Sequence, residues 1–533
     1  MKFWEFLRKR ERGVFIVFAL ALSLRLIGSG LEGINPDEYR WHDRTNTFMH
    51  VLEKGDLSKT MIAGHPGATI VWQSLIALKV GRALFRVFDP SFDIQNYPYL
   101  TETFERVHFI YQFPIILISS LFIAFAYWAL KKLISDRYAL IAVSLLLTDQ
   151  YYLAHSRVVQ MDAVQTAYVM VALLSAFLYR LERKKVYLIL AAVMIAFDAM
   201  TKIYGLAVLP LVWGVIVYDD LSMFLRRNRL KSFLKILSLT FWMALIITIV
   251  SIILLPSWFF DFNGTVAIFK RAIFVEGVEG IWEGWEYFFG KLYLNGEPRW
   301  FYLVALFLRQ NLISFIFLPI SLLLLMRRKI TDLKLRNLML VLLFLGIYWG
   351  VILSIPTKKE DRYILLTHVC LDFVAAGGIW WVLEKVKSKL KVKIFLVLTI
   401  LVFLATSLPL KGQYLGYFNP LLGGPRTTVK LMRLGWGEGM TGAARFINSQ
   451  DDPENAKTVA WYESNISPYC FCEVLPTYAY MDKGVVYDVF YVNQLQRLKE
   501  TTWIDKFFKE ENIIHVEYIN GFPYTWVVER PKK

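Results

Sequence analysis

Cysteine is nearly absent: the 533 residues contain three, two of them in Cys470-Phe471-Cys472. That supply gives neither a disulfide framework nor the four ligands of a structural zinc site, and no redox chemistry is read from it. Charge is also scarce, at 20% of residues, where soluble domains carry about 25%. Internal repeats and low-complexity tracts are missing. Without an inverted repeat or paired Gly- or Pro-broken helices, the chain lacks the sequence pattern of secondary transporters.

Apolar and aromatic residues are abundant instead. The chain is 56% hydrophobic, with 40 Phe, 28 Tyr and 17 Trp, a composition that a soluble domain of this length does not reach and a polytopic membrane protein does. The net charge of +16 would suit a nucleic-acid partner if it formed a patch. Its Lys and Arg residues fall in short runs between apolar spans, as the positive-inside rule distributes them, so no nucleic acid is expected.

Apolar windows with their flanking charges predict spans near 13–30, 109–130, 138–153, 163–179, 186–200, 203–218, 236–255, 300–325, 338–355, 363–382 and 394–410, about eleven helices. The first follows Arg8-Lys9-Arg10-Glu11-Arg12 as a signal peptide would, but no small-residue cleavage pattern follows it, and it reads as an anchor. If each span crosses once, the basic runs at Arg8 to Arg12, Lys131-Lys132, Arg183 to Lys185, Arg226 to Lys235, Arg327 to Arg336 and Lys385 to Lys393 share one side. That side is the cytoplasm, with the amino terminus inside and everything after Lys411 outside.

The outer segments 31–108 and 256–299 are long, and the second carries Trp258, Trp282, Trp285 and Trp300 at headgroup depth. The stretch 67–88 is apolar but holds Lys79, Arg82 and Arg86 at helical spacing, which predicts a helix lying in the outer interface. After Leu410 the pattern changes. Thr458 to Tyr462, Val485 to Val492 and Ile513 to Tyr518 read as strands, and Gly439 to Ser449 and Gln494 to Lys509 as amphipathic helices. The expected domains are thus a transmembrane unit, 1–410, and a small extracytoplasmic α/β unit, 411–533.

Charged residues near a bilayer are expensive, about 2.5 to 3.5 kcal/mol each at mid-depth, and several gather on the outer face. Asp37-Glu38 follows Asn35-Pro36, which ends helix and sets an extended turn. A carboxylate there can serve as a general base or a metal ligand, or can be merely solvated. His65-Pro66-Gly67 lies in the same outer segment. Arg157 and Asp162 sit in a hairpin between two spans, where an ion pair within the chain is the simplest reading. Lys202 interrupts an apolar run of more than thirty residues and needs an anionic partner or a route to the interface. Lys358-Lys359-Glu360-Asp361-Arg362-Tyr363 is short, mixed in charge and outer-facing. Cations and acids on one face suit an anionic lipid headgroup with a base beside it.

At these residues the chain resembles integral-membrane glycosyltransferases of the C-type fold, specifically the protein O-mannosyltransferase and aminoarabinose-transferase superfamily. The resemblance spans most of residues 10–410 through Asp37-Glu38, His65-Pro66, Ser156-Arg157 with Asp162, Thr201-Lys202 and Arg362-Tyr363. The tail adds Tyr417 to Gly424, Gly435-Trp436-Gly437-Glu438-Gly439 and Tyr491 to Arg497, which are similar to tails of prokaryotic members. Two departures stand out: His65-Pro66 continues as Gly67-Ala68, where the eukaryotic mannosyltransferases have a second Pro and Leu, and the tail is not their sugar-binding trefoil.

The resemblance implies transfer of a sugar from a polyprenyl-phosphate carrier to a hydroxyl of a lipid, glycan or protein. It implies Asp37 as catalytic base with Glu38 beside it, and inversion from one in-line displacement. Arg157, Lys202 and Arg362 are the expected phosphate-binding cations, and His65, Asp162 and Tyr363 the orienting groups. No cofactor is certain; a divalent metal held by Asp37 and Asp162 is an open expectation taken from the oligosaccharyltransferase branch. A secondary transporter and a non-catalytic envelope assembly protein remain the rival classes.

Overall fold

The computed structural model describes residues 12–29, 33–88, 101–226, 229–271, 273–274, 285–294, 296, 298–386, 388, 390–499 and 501–531. Trp282 and the basic residues Arg8 to Arg10 lie outside them. Among the described residues eight helices are long and apolar enough to cross a membrane, or nine if one bent pair counts as a single span. Every expected span has a helix at its place. The described part of the first is Arg12–Leu26, Lys185–Thr201 has 17 residues, and the span expected at 138–153 is two pieces, Asp136–Leu147 and Gln150–His155. The break has a local cause: Asp149 Oδ1 accepts from Tyr151 N (2.7 Å) and Tyr152 N (2.9 Å), which starts a new helix. The expected interfacial helix is Ala68–Phe88, and its residues 68–85 have the length and hydropathy of a crossing helix.

Burial orders the bundle. Met161–Glu182 and Asp361–Lys385 are central, with 94% and 89% of their most apolar window buried, whereas Arg229–Leu254 is peripheral at 11%. The peripheral helix turns Leu230, Phe241, Trp242 and Ile253 outward, where only hydrocarbon can cover them without cost.

Neither outer segment is a plain loop. The first contains the polar helix Pro36–Glu53, and the second the short helices Ser257–Phe260 and Phe262–Lys270 and the hairpin β1 (Trp285–Phe288) and β2 (Lys291–Leu294). The tail folds on a five-stranded sheet of β3 (Lys457–Ala460), β4 (Glu473–Leu475), β5 (Val485–Tyr491), β6 (Ile513–Ile519) and β7 (Phe522–Glu529). Its order is β4-β3-β5-β7-β6, parallel on the first side and antiparallel from β5 onward. Met440–Asn448 matches the first expected tail helix. The second, expected at Gln494 to Lys509, is two helices, Val492–Arg497 and Thr501–Phe507, because Leu498 takes a left-handed conformation (φ 49°) and ends the first. Cys470 and Cys472 are bonded to each other, a local bridge between residues two apart.

The tail is anchored at a second helix break. Phe301–Arg309 and Leu312–Met326 meet at 116°, with Asn311 capping the second helix through Ile313 N (2.9 Å) and Ser314 N (3.3 Å). Into this elbow runs the tail segment Leu415 to Asn419. Asn419 N donates to Leu308 O (2.7 Å), and the buried Arg309 donates through one amino group to Leu415 O and Tyr417 O (2.6 Å each). Arg309 also lies 3.7 Å over the ring of Phe418 and pairs with Asp361 (2.7 Å). Removing one partner of such a buried pair strands the other charge. Arg309→Leu should therefore destabilise the protein by about 3 kcal/mol, read as a lower thermal midpoint of the purified protein in detergent, while Arg309→Lys loses less.

Candidate active site

The amino terminus of helix Pro36–Glu53 sets the geometry. Asn35 Oδ1 accepts from Asp37 N (3.0 Å) and Glu38 N (3.1 Å), and Glu38 Oε2 answers by accepting from Asn35 N and Nδ2 (both 2.9 Å). This reciprocal cap fixes where Asp37 points. Glu38 Oε1 accepts from Val159 N (2.7 Å), which ties the helix to the hairpin before Met161–Glu182. Glu38 is 1% exposed and both its oxygens are engaged, whereas the Asp37 side chain is 23% exposed.

Asp37 Oδ2 accepts from Gln160 Nε2 (3.1 Å) and from an amino group of Arg362 (3.0 Å). Gln160 is held in turn by the indole of Trp41, which donates to its Oε1 (3.0 Å). The Nε of Arg362 faces Asp162 Oδ2 (3.6 Å), and the Nζ of Lys202 donates to Asp162 Oδ1 (2.5 Å). Lys202 is buried where Lys185–Thr201 ends and lies 4.3 Å over the ring of Tyr363. Opposite charges thus alternate along Asp37, Arg362, Asp162 and Lys202, so each desolvated ion has a partner.

His65 joins through the backbone. Gly67 N donates to Thr201 O (3.1 Å), and the hydroxyls of Thr69 and Thr201 meet at 2.6 Å, so the segment after His65-Pro66 is pinned to the helix end that carries Lys202. Gly67 is required there: its φ is +54°, and a Cβ would stand 2.2 Å from the Trp41 ring. Burial, then the charges of Lys202, Lys358 and Arg44, lower the His65 pKa to about 4. Arg157 keeps other company. It is buried over the ring of Tyr414 (5.2 Å) and beside Gly28, whereas Lys202 and Arg362 meet at Asp162 and Tyr363.

The tail supplies residues not assigned from sequence. The indole of Trp436 covers the Arg362 guanidinium at 4.3 Å. Arg433 grips both oxygens of Glu286 on β1 (2.9 and 2.8 Å) and also binds Glu360, whose same oxygen lies 3.4 Å from Arg362. Burial would raise the Glu360 pKa, but Arg433 and Arg362 outweigh it and hold it below the usual carboxylate value. A cavity lined by His155, Arg309, Glu360, Arg362, Trp436 and Glu438 lies between tail and bundle. Trp436 was quoted from the tail motif without a role, and only its position over Arg362 supplies one.

Asp37 and Asp162 are each already paired with cations, Asp37 with Arg362 and Arg40, and Asp162 with Lys202 and Arg362. Among the described residues no three His, Cys, Asp or Glu side chains are grouped to hold a metal. The pair as arranged does not fit a divalent ion, and no step below is routed through one.

Residues 31–269 match the profile of the family described as dolichyl-phosphate-mannose-protein mannosyltransferase. No curated protein matches the chain as a sequence. The fold is similar to ArnT from Cupriavidus metallidurans bound to undecaprenyl phosphate, at 13% identity and a TM-score of 0.52 over 97% of this chain and 98% of that one. The apo state of the same protein gives 12% and 0.50 over 96% and 97%. The fold is that of the C-type membrane glycosyltransferases. The carboxylate that meets solvent at the head of helix Pro36–Glu53 is Asp37, backed by Arg362.

The depressed His65 pKa has a thermodynamic consequence. The unfolded chain takes up a proton near the ordinary histidine value of 6.5 and the folded one only near 4, so His65 favours the folded state above pH 6.5 and loses that contribution as pH falls toward 4. His65→Gln should flatten the acid side of the curve of thermal midpoint against pH. A variant as acid-sensitive as the parent would mean that His65 titrates normally.

Proposed function

We propose that this protein moves a sugar from a polyprenyl-phosphate carrier to an acceptor hydroxyl on the outer face of the membrane, with inversion at the anomeric carbon. The observation that carries the reading is the state of Asp37: partly exposed, oriented by Asn35 and Gln160, and backed by the guanidinium groups of Arg362 and Arg40. The similar fold of ArnT holds undecaprenyl phosphate, and the cations here suit the same class of ligand.

The chemistry divides by burial. The leaving group is a phosphate, weakly basic already, so it needs fixed positive charge more than an acid. Arg362 stands at the base of the site, and Lys358 and Arg40 near Asp37 are the cations with room to meet a headgroup. Lys202 acts behind them, holding Asp162 against Arg362. The acceptor hydroxyl has a pKa far above neutral and must lose its proton as it attacks, and Asp37 is the base beside that path. Glu38, with both oxygens committed to Asn35 and Val159, positions Asp37. Arg157 remains a proposed phosphate ligand only through motion of Tyr414, over which it lies.

Asp37→Asn keeps the shape and removes the base. Transfer from radiolabelled polyprenyl-phosphate mannose, glucose or aminoarabinose into membrane acceptors should fall by about two to four orders of magnitude, with folding and donor retention unchanged. Near-normal transfer by a well-folded Asp37→Asn protein would remove Asp37 as the base. Glu38→Gln should chiefly lower stability, since it disturbs the helix cap.

The sidedness of Lys and Arg makes a separate prediction about orientation. A reporter fused at the carboxyl terminus should read outside the cell and one inserted near Arg229 inside; the opposite result would put the Asp37 face toward the cytoplasm.

A further inference from the structure

The end of the bundle away from Asp37 has its own cavity. Asp162 and Arg180 stand eighteen residues apart on one helix, which separates the two ends by about 27 Å. The cavity, about 230 Å³, lies where Thr101–Leu133, Met161–Glu182, Leu209–Arg226 and Leu333–Ser354 come together. Its walls are apolar, formed by Phe177, Leu181, Leu333 and Leu338, and its mouth carries Arg180 and Lys334. Of the two cations, Arg180 is held by Asp219 (3.0 Å), while Lys334 is exposed and makes no ion pair among the described residues. The segments framing the mouth, 131–137, 180–185, 219–220 and 327–336, hold twelve Lys or Arg against five Asp or Glu.

We infer that this cavity binds an anionic phospholipid, with an acyl chain between the apolar walls and the phosphate at Lys334 and Arg180. An alkyl chain is the ligand that fills a greasy slot opening beside hydrocarbon, and a slot of that kind without charge would take any lipid. The excess of cations at the mouth selects a headgroup of net negative charge, since basic pockets between crossing helices attract anionic lipid phosphates. Lys334 supplies a charge that no carboxylate among the described residues pairs with. This site is remote from Asp37 and independent of the transfer reaction.

The test uses the full-length protein in nanodiscs of phosphatidylcholine with or without phosphatidylglycerol of the same acyl chains. Native mass spectrometry should find phosphatidylglycerol retained roughly tenfold over phosphatidylcholine, and its presence should raise the thermal midpoint. Lys334→Glu should bring the two lipids to parity, and Lys334→Gln should fall between. Leu181→Trp, which narrows the slot without touching the charges, should lower retention of both lipids. Soluble glycerol phosphate should neither stabilise the protein nor displace the lipid; if it does both, the site recognises phosphate alone and the lipid assignment fails. Equal retention of the two lipids by the parent protein, or an unchanged phosphatidylglycerol preference in both Lys334 variants, would overturn the proposal.

Discussion

One guanidinium organises the end of the bundle that carries Asp37. Arg362 stands within reach of three carboxylates, Asp37, Asp162 and Glu360, and beneath the indole of Trp436. Each of those groups comes from a different part of the chain: helix Pro36–Glu53, the start of Met161–Glu182, the 358–362 segment and the tail. A buried cation shared in this way loses less to desolvation than one facing a single anion, and it obliges four segments to adopt one arrangement. The cap on Pro36–Glu53, the break at Lys202 and the turn at Gly67 all serve to bring carboxylates or their holders to that point.

The soluble tail is part of this arrangement. Its segment Leu415 to Asn419 fills the 116° elbow beside Arg309, and Arg309 in turn fixes Asp361, the neighbour of Arg362. Farther along, Arg433 competes with Arg362 for Glu360. Two arginines thus bracket the 360–362 segment, one from the membrane elbow and one from the tail. The elbow itself is tolerable at membrane depth because protein groups satisfy its freed polar atoms: Gln310 donates to Asp372 (2.9 Å), and Tyr417 and Asn419 donate to Gln310 O.

Much of this could be read from the chain because the bilayer imposes simple rules. Apolar length located a helix at each of the expected spans, and the cost of a charge in an apolar run singled out Lys202, which is paired with Asp162 as that cost demands. Alternating patterns in the tail located β3, β5 and β6. The errors share a cause. The breaks at Asp149 and Gln310 and the left-handed Leu498 depend on single caps and contacts that leave the composition of a window unchanged.

What the sequence determined by itself was the class of protein, its helical spans and the side-chain types collected near one face, because burial energetics depend on composition and period alone. Which of those side chains meet was decided only by tertiary structure. Asp162 faces Lys202 and Arg362, forty and two hundred residues away, and Arg157 turns to Tyr414. Glu38 became a cap while its neighbour Asp37 kept a solvent-facing oxygen. Adjacent carboxylates are alike in sequence; the hydrogen bonds each finds after the helices pack are what separate a structural acid from one with an open lone pair.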